Sequence, residues 1–267
     1  MELVGLLPVT RVVSLTPRMK RVSFRAPDGF VGWPDQQLKL CFPRASQEMP
    51  LLPASSGDDM RWYQEFLAIP EDTRPWMRGF TVRAFSPSRA ELDIDFVLHG
   101  DSGPATRWAL TAAPGQVLGR YGPSEIYRRP LAAGDWYLFA GDETALPAIG
   151  TLLESLPSAR TVGFVEVHDA GEEQPLPAVR WLHRSRGESL LAAVRAATFP
   201  PGSVSVWLAG EAGVVRALRR HLVADRGIPK NRIDFAGYWR RRLTQDDAPT
   251  AEDLAEAQER VAQAAGG

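Results

Sequence analysis

The strongest constraint on the fold is a change of hydrophobic period partway along the chain. Up to about residue 121, apolar residues tend to recur at alternate positions in short runs broken by Pro, Gly and Ser. That is the pattern of strands with one buried face. From about residue 136 onward, short apolar runs alternate with helically spaced segments, the pattern of a parallel sheet covered by helices. A length of 267 residues is ample for two cores. The expected fold class is therefore a β-barrel plus α/β. An antiparallel barrel occupies residues 1–130, a parallel-sheet domain 131–242 and a helical tail 243–267.

In the first part the strand-like runs are residues 11–15, 21–24, 37–42, 78–85, 91–99 and 117–121. Within 91–99, Leu92, Ile94, Phe96 and Leu98 alternate with Asp93, Asp95 and Val97, which predicts a half-exposed strand with one carboxylate face. Residues 45–59 read as a surface loop and 62–69 as a short helix ended by Pro70. In the second part, strands at 136–140, 161–167, 203–209 and 233–238 alternate with helices at 145–156, 189–197 and 212–226. The tail has a capping box at Thr250 to Asp253 and a weak apolar face of Leu254, Ala257 and Val261.

Composition removes several classes of function. The formal net charge of -1 gives no global field for nucleic acid. The single cysteine, Cys41, excludes an internal disulfide or a thiolate metal cluster, and it reads as a small buried residue. The four histidines, His99, His168, His183 and His221, are scattered, so no protein-bound metal is expected. No signal peptide and no bilayer-spanning stretch is seen, so the expectation is a cytoplasmic monomer without membrane insertion. There is no phosphate-binding P-loop, no H-E-x-x-H, no G-x-S-x-G and no G-x-G-x-x-G.

Two segments combine residue types that suit a flavin. Arg78-Gly79-Phe80-Thr81-Val82-Arg83 offers a cation, a flat apolar group and a hydroxyl on one strand. An ordinary strand with solvated arginines has the same spacing. His99-Gly100-Asp101-Ser102-Gly103-Pro104-Ala105-Thr106 runs from a strand through a turn into a helix with Pro in its first turn. Backbone N–H groups exposed there suit a phosphate. A well-capped connection with no ligand looks no different in sequence.

These two segments, with L-D-I-D-F-V-L-H-G at Leu92 to Gly100, A-G-D-E-T-A-L-P at Ala140 to Pro147 and G-Y-W-R-R at Gly237 to Arg241, resemble the siderophore-interacting protein family. The resemblance runs from the first strand to Arg241. It implies a ferredoxin-reductase-like fold and a flavin-dependent ferric-siderophore reductase, an oxidoreductase that passes electrons from NADH or NADPH through FAD to chelated iron(III). It also implies that Arg78, Phe80, Thr81 and Val82 hold the FAD, with Thr81 at the reactive ring edge. His99, Gly100, Gly103, Pro104, Ala105 and Thr106 would lie around its phosphates and remaining body. Asp142, Glu143, Thr144 and Ala145 would lie where the nicotinamide cofactor enters. The family commonly has Tyr where this chain has Phe80, which keeps the stacking surface and loses a hydroxyl.

Basic residues of the family's siderophore pocket match Lys39 and the pair Arg240 and Arg241. Glu166 and Asp169, after the second strand of the second domain, favour a free ribose hydroxyl and hence NADH. Arg184 or Arg186 nearby would reverse that preference, and a ferredoxin donor is compatible with the same fold. The alternatives are a flavin reductase with another acceptor and a non-enzymatic ferric-siderophore-binding protein.

Overall fold

The computed structural model describes residues 2–54, 59–98, 103–123 and 130–241, together with residues 250, 251, 254, 255 and 258. Most of the expected tail helix therefore lies outside the described residues, as do His99 and Gly100.

Six strands form a closed antiparallel barrel: β1 (Val4–Thr16), β2 (Met19–Arg25), β3 (Gln37–Phe42), β4 (Trp76–Ser86), β5 (Glu91–Val97) and β6 (Val117–Tyr121). Their order is β1-β2-β5-β4-β3-β6, closed by the pairing of β1 with β6. Alternate residues supply the core, with Leu7, Phe24, Leu40, Leu92, Ile94 and Leu118 at 0% exposure. Burying each such side chain stabilises the fold by about 1.5–3 kcal/mol. Helix α1 (Asp59–Ala68) lies on the outside of the barrel, where Trp62 and Phe66 cluster with Val4 and Cys41. Helix α2 (Pro104–Thr111) follows β5 and packs Ala109 and Trp108 onto the barrel core.

The second domain is a five-stranded parallel sheet in the order β11-β10-β7-β8-β9. Its strands are β7 (Trp136–Asp142), β8 (Thr161–Val167), β9 (Val179–His183), β10 (Val204–Glu211) and β11 (Ile233–Trp239). Helices α4 (Leu190–Ala196) and α5 (Ala212–Ala224) contribute to the core on one face. Helix α3 (Leu146–Ser155) packs on the other, where Met19 of the barrel joins Phe139, Ile149 and Trp207 in a shared core. Among the described residues no helix is long and apolar enough to cross a membrane.

The structure departs from the sequence reading in three places. The carboxylate face of β5 is covered: Arg21 grips Asp95 in two bonds of 2.7 and 2.8 Å, and Ser23 donates to Asp93 at 2.6 Å. The partners come from β2, so strand alternation alone missed this burial. A register shift between Val82 and Ala84 breaks the regular alternation of β4, and both Thr81 and Val82 are buried. Strand β9 (Val179-Arg180-Trp181-Leu182-His183) was not anticipated, because its last three residues do not alternate between apolar and polar.

Polar contacts fix the two domains against each other. Thr16 Oγ1 donates to Glu172 Oε2 at 2.5 Å, and Arg83 makes two bonds of 2.6 and 3.1 Å to Glu154 of α3. The Asp35 N–H donates to Thr151 Oγ1 at 2.9 Å, while its carboxylate accepts from Trp207 Nε1 at 3.0 Å.

Candidate functional site

The outer face of β3 and β4 forms a shelf at the domain junction. Lys39 pairs with Gly79 of β4 and Tyr121 of β6, and Gln37 pairs with Thr81. Residues two apart share a face, so Gln37, Lys39, Gly79 and Thr81 lie side by side. A Cβ added at Gly79 would meet nothing within 4 Å, so the shelf is open there. Thr81 is 7% exposed, and among the described residues its hydroxyl has no hydrogen-bond partner. The Lys39 ammonium sits 5.6 Å from the centre of the Tyr63 ring and 6.0 Å from that of Tyr121. Desolvation by this packing lowers its pKa below the ordinary 10.5, although the residue's accessible surface remains exposed.

A hydrogen bond ties the shelf to the second domain. Gln37 Nε2 donates to Tyr238 Oη at 3.1 Å. Lys39 lies two residues beyond Gln37 and Arg240 two beyond Tyr238, each about 7 Å along the chain from the bridge. Basic residues of both domains thus flank the chain on either side of this bridge. Arg240 is half-buried; Arg241 is exposed, and its N–H donates to Glu211 Oε1 at 3.4 Å.

Arg78 and Phe80 pair with Leu40 and Leu38 on the inward-facing side of β3, and Val82 pairs with Ile94 of β5. Phe80 is half-buried, its ring centre 4.6 Å from that of Phe96 and 6.0 Å from that of Phe42. Arg78 is half-buried, and its Nη1 donates to the Met77 carbonyl at 2.9 Å. Gly103 precedes α2 in extended conformation, with nothing within 4 Å of an added Cβ, and Pro104 opens the helix. Ala105 packs on the barrel core. Thr106 is buried, with its hydroxyl donating to the Val97 carbonyl at 3.4 Å, so it faces the protein.

At the carboxyl edge of the parallel sheet, Asp142 is wholly engaged by the protein. Its Oδ1 accepts from the Thr144 N–H at 2.9 Å and the Thr144 hydroxyl at 2.5 Å. Its Oδ2 accepts from the Glu211 N–H at 2.9 Å and Trp239 Nε1 at 2.8 Å. Burial raises its pKa against the pull of Thr144 and Trp239. The Glu143 carboxylate is held by Arg184, and Ala145 has 0% exposure. The side-chain polar groups of Asp142, Glu143 and Thr144 are therefore turned to protein partners. Sequence reasoning missed Trp239, Glu211 and Arg184 as their partners. A signal was present in Gly141, Gly210 and Gly237 near the ends of three adjacent strands, where an added Cβ would meet Ala209 O at 2.6 Å, Asp142 Oδ2 at 2.5 Å and Ala212 Cβ at 2.8 Å respectively.

A closed antiparallel barrel followed by a parallel sheet is the ferredoxin-reductase-like fold. The chain superimposes on the ferredoxin reductase of carbazole 1,9a-dioxygenase with a TM-score of 0.58 at 15% identity, covering 88% of this chain and 66% of that one. The chain belongs to the siderophore-interacting protein family: residues 8–127 match the siderophore-interacting FAD-binding domain, and residues 134–242 match siderophore-interacting protein. It is 33% identical over 257 residues to ferric vibriobactin reductase ViuB of Vibrio cholerae, spanning 90% of this chain and 91% of that protein. A siderophore utilization protein from T. fusca is 37% identical, and its crystal structure superimposes with a TM-score of 0.78 over 91% of this chain and 95% of that one.

The described residues fit an FAD in kind. Thr81 offers a hydroxyl on a largely buried residue with no hydrogen-bond partner among the described residues, Phe80 a half-buried ring, and Gly103 open space at the amino end of α2.

Proposed function

We propose that this chain is a flavin-dependent reductase of ferric siderophores, and that it takes its electrons from NADH or NADPH. The observation that carries the reading is the shelf: the Thr81 hydroxyl beside the open space at Gly79 and the cation of Lys39. FAD, when bound, accepts electrons in pairs from a donor and releases them singly to a metal complex. Arg78, Phe80, Thr81 and Val82, with Gly103, Pro104, Ala105, Thr106 and the flanking His99 and Gly100, would hold it. Thr81 would hydrogen-bond the reacting edge of the ring. Lys39, with Arg240 and Arg241, would draw an anionic iron chelate onto the shelf, with the Tyr63 and Tyr121 rings beside the Lys39 ammonium. Iron is the substrate and needs no ligand from the protein, because electron transfer to a chelate leaves its coordination shell intact. Iron(II) is held less tightly by hard oxygen donors, so reduction loosens it.

The test is anaerobic, with FAD-loaded protein, a ferric siderophore and an iron(II) trap. Thr81→Val is expected to slow flavin reoxidation by the chelate about tenfold, with the half-saturating concentration little changed. Lys39→Ala is expected to raise that concentration about tenfold, with the saturated rate little changed. Equal effects of both substitutions on both quantities would overturn these roles, and a colourless protein that binds chelate would favour sequestration over reduction. Lys39 also sets a pH limit. Because its pKa is lowered, the wild-type requirement for chelate should climb with pH before an ordinary lysine loses its charge, and Lys39→Arg should remove that rise.

A further inference from the structure

The carboxyl edge of the second domain carries a contact that iron reduction does not use. Strands β7, β8 and β9 lie side by side, with Asp142 opposite Glu166 and Glu166 opposite Leu182. Glu143 leaves the end of β7 and Arg184 leaves the end of β9, and their side chains meet across the end of β8. Arg184 Nη1 donates to Glu143 Oε2 at 2.6 Å, and Nη2 donates to the other Glu143 oxygen. Arg184 also reaches Glu166 Oε1 at 3.5 Å, while Glu166 Oε2 accepts the Leu190 N–H at the start of α4 at 2.7 Å. The bidentate pair is therefore tied through Arg184 and Glu166 to the start of α4. Burial alone would lower the Arg184 pKa, but the hydrogen bonds and charges of Glu143 and Glu166 outweigh it, and the guanidinium stays charged.

In parallel-sheet domains a dinucleotide lies across the carboxyl ends of the strands, its pyrophosphate against the N–H groups of a glycine-rich turn. Here the turn is Asp142-Glu143-Thr144, and two carboxylates with one guanidinium leave a net negative charge beside it. We propose that the Glu143–Arg184 pair straps the end of β8 and keeps the adenosine half of a reduced dinucleotide from seating, so that the donor is selected through its nicotinamide mononucleotide end. The proposal rests on the reduced nicotinamide donor of the function above. Since NADH and NADPH differ only in the adenosine half, the chain should distinguish them poorly.

The experiment is anaerobic flavin reduction of the FAD-loaded full chain by NADH, NADPH and reduced nicotinamide mononucleotide. Wild-type half-saturating concentrations are expected within about threefold of one another. Glu143→Gln removes the charge of the strap and leaves Arg184 to the pyrophosphate, so the requirement for NADH should fall about tenfold relative to that for the mononucleotide. Glu143→Ala should do the same. A wild-type preference for NADH over the mononucleotide above about thirtyfold would overturn the strap, as would a ratio that neither variant moves. If all three donors reduce the flavin but the ratio stays fixed, the strap alone fails. If none does in wild type or variant while dithionite does, the nicotinamide donor fails and the strap with it.

Discussion

Asp142→Ala is expected to lower the unfolding free energy by about 1–3 kcal/mol. The carboxylate joins β7 to the Glu211 N–H at the end of β10 and to the Trp239 indole at the end of β11. Removing it leaves these two donors and the Thr144 N–H without their acceptor at a buried position. A urea midpoint that falls with an unchanged slope would register the loss. Gly210→Ala tests the same contact from the other side, because its Cβ would lie 2.5 Å from Asp142 Oδ2, on backbone at φ +135°. In a double-mutant cycle the two losses should add to less than their sum, since alanine at 142 removes the obstacle but not the unfavourable φ. Strict additivity would show that the carboxylate and the glycine are not coupled.

Gly79→Leu is expected to leave the fold intact and to raise the chelate concentration required by at least thirtyfold, a steric exclusion of roughly 2 kcal/mol or more. Nothing lies within 4 Å of a Cβ at this position, so the new side chain meets no protein atom at its base. Replacing glycine within a strand also removes an entropic cost of about 0.5–1 kcal/mol, so the melting temperature should hold or rise. The leucine would project beside Lys39, into the space assigned to the iron chelate. Flavin content and reduction by dithionite serve as controls, and Gly79→Ala should have a smaller effect. Undiminished chelate reduction in the leucine variant would remove the shelf from the mechanism.

What was legible in the sequence follows from the range over which the signal acts. The strands at 37–42, 117–121 and 161–167 match their observed bounds, because alternation and breaking residues are local. The Arg78 to Thr81 segment stood out for the same reason, since its residue types sit on one strand. The connections that shape the site are not local. Gln37 meets Tyr238 across 201 positions, Asp142 meets Trp239 across 97 and Glu143 meets Arg184 across 41. No period or spacing reports such pairs. The burial of Asp93 and Asp95 escaped for a related reason: a carboxylate on an alternating strand reads as solvated until the partner strand is known to bring Arg21 and Ser23 opposite it.

The cover that α1 places over the barrel has a consequence for a protein that handles iron and reducing equivalents. Oxygen meeting either yields peroxide close to the polypeptide, and peroxide attacks sulfur as the thiolate. The only thiol of this chain, Cys41, has no exposed surface, and burial pushes its pKa up to about 12. The chain is thereby spared self-inflicted oxidation at its sole cysteine for as long as Trp62 and Phe66 stay packed over it.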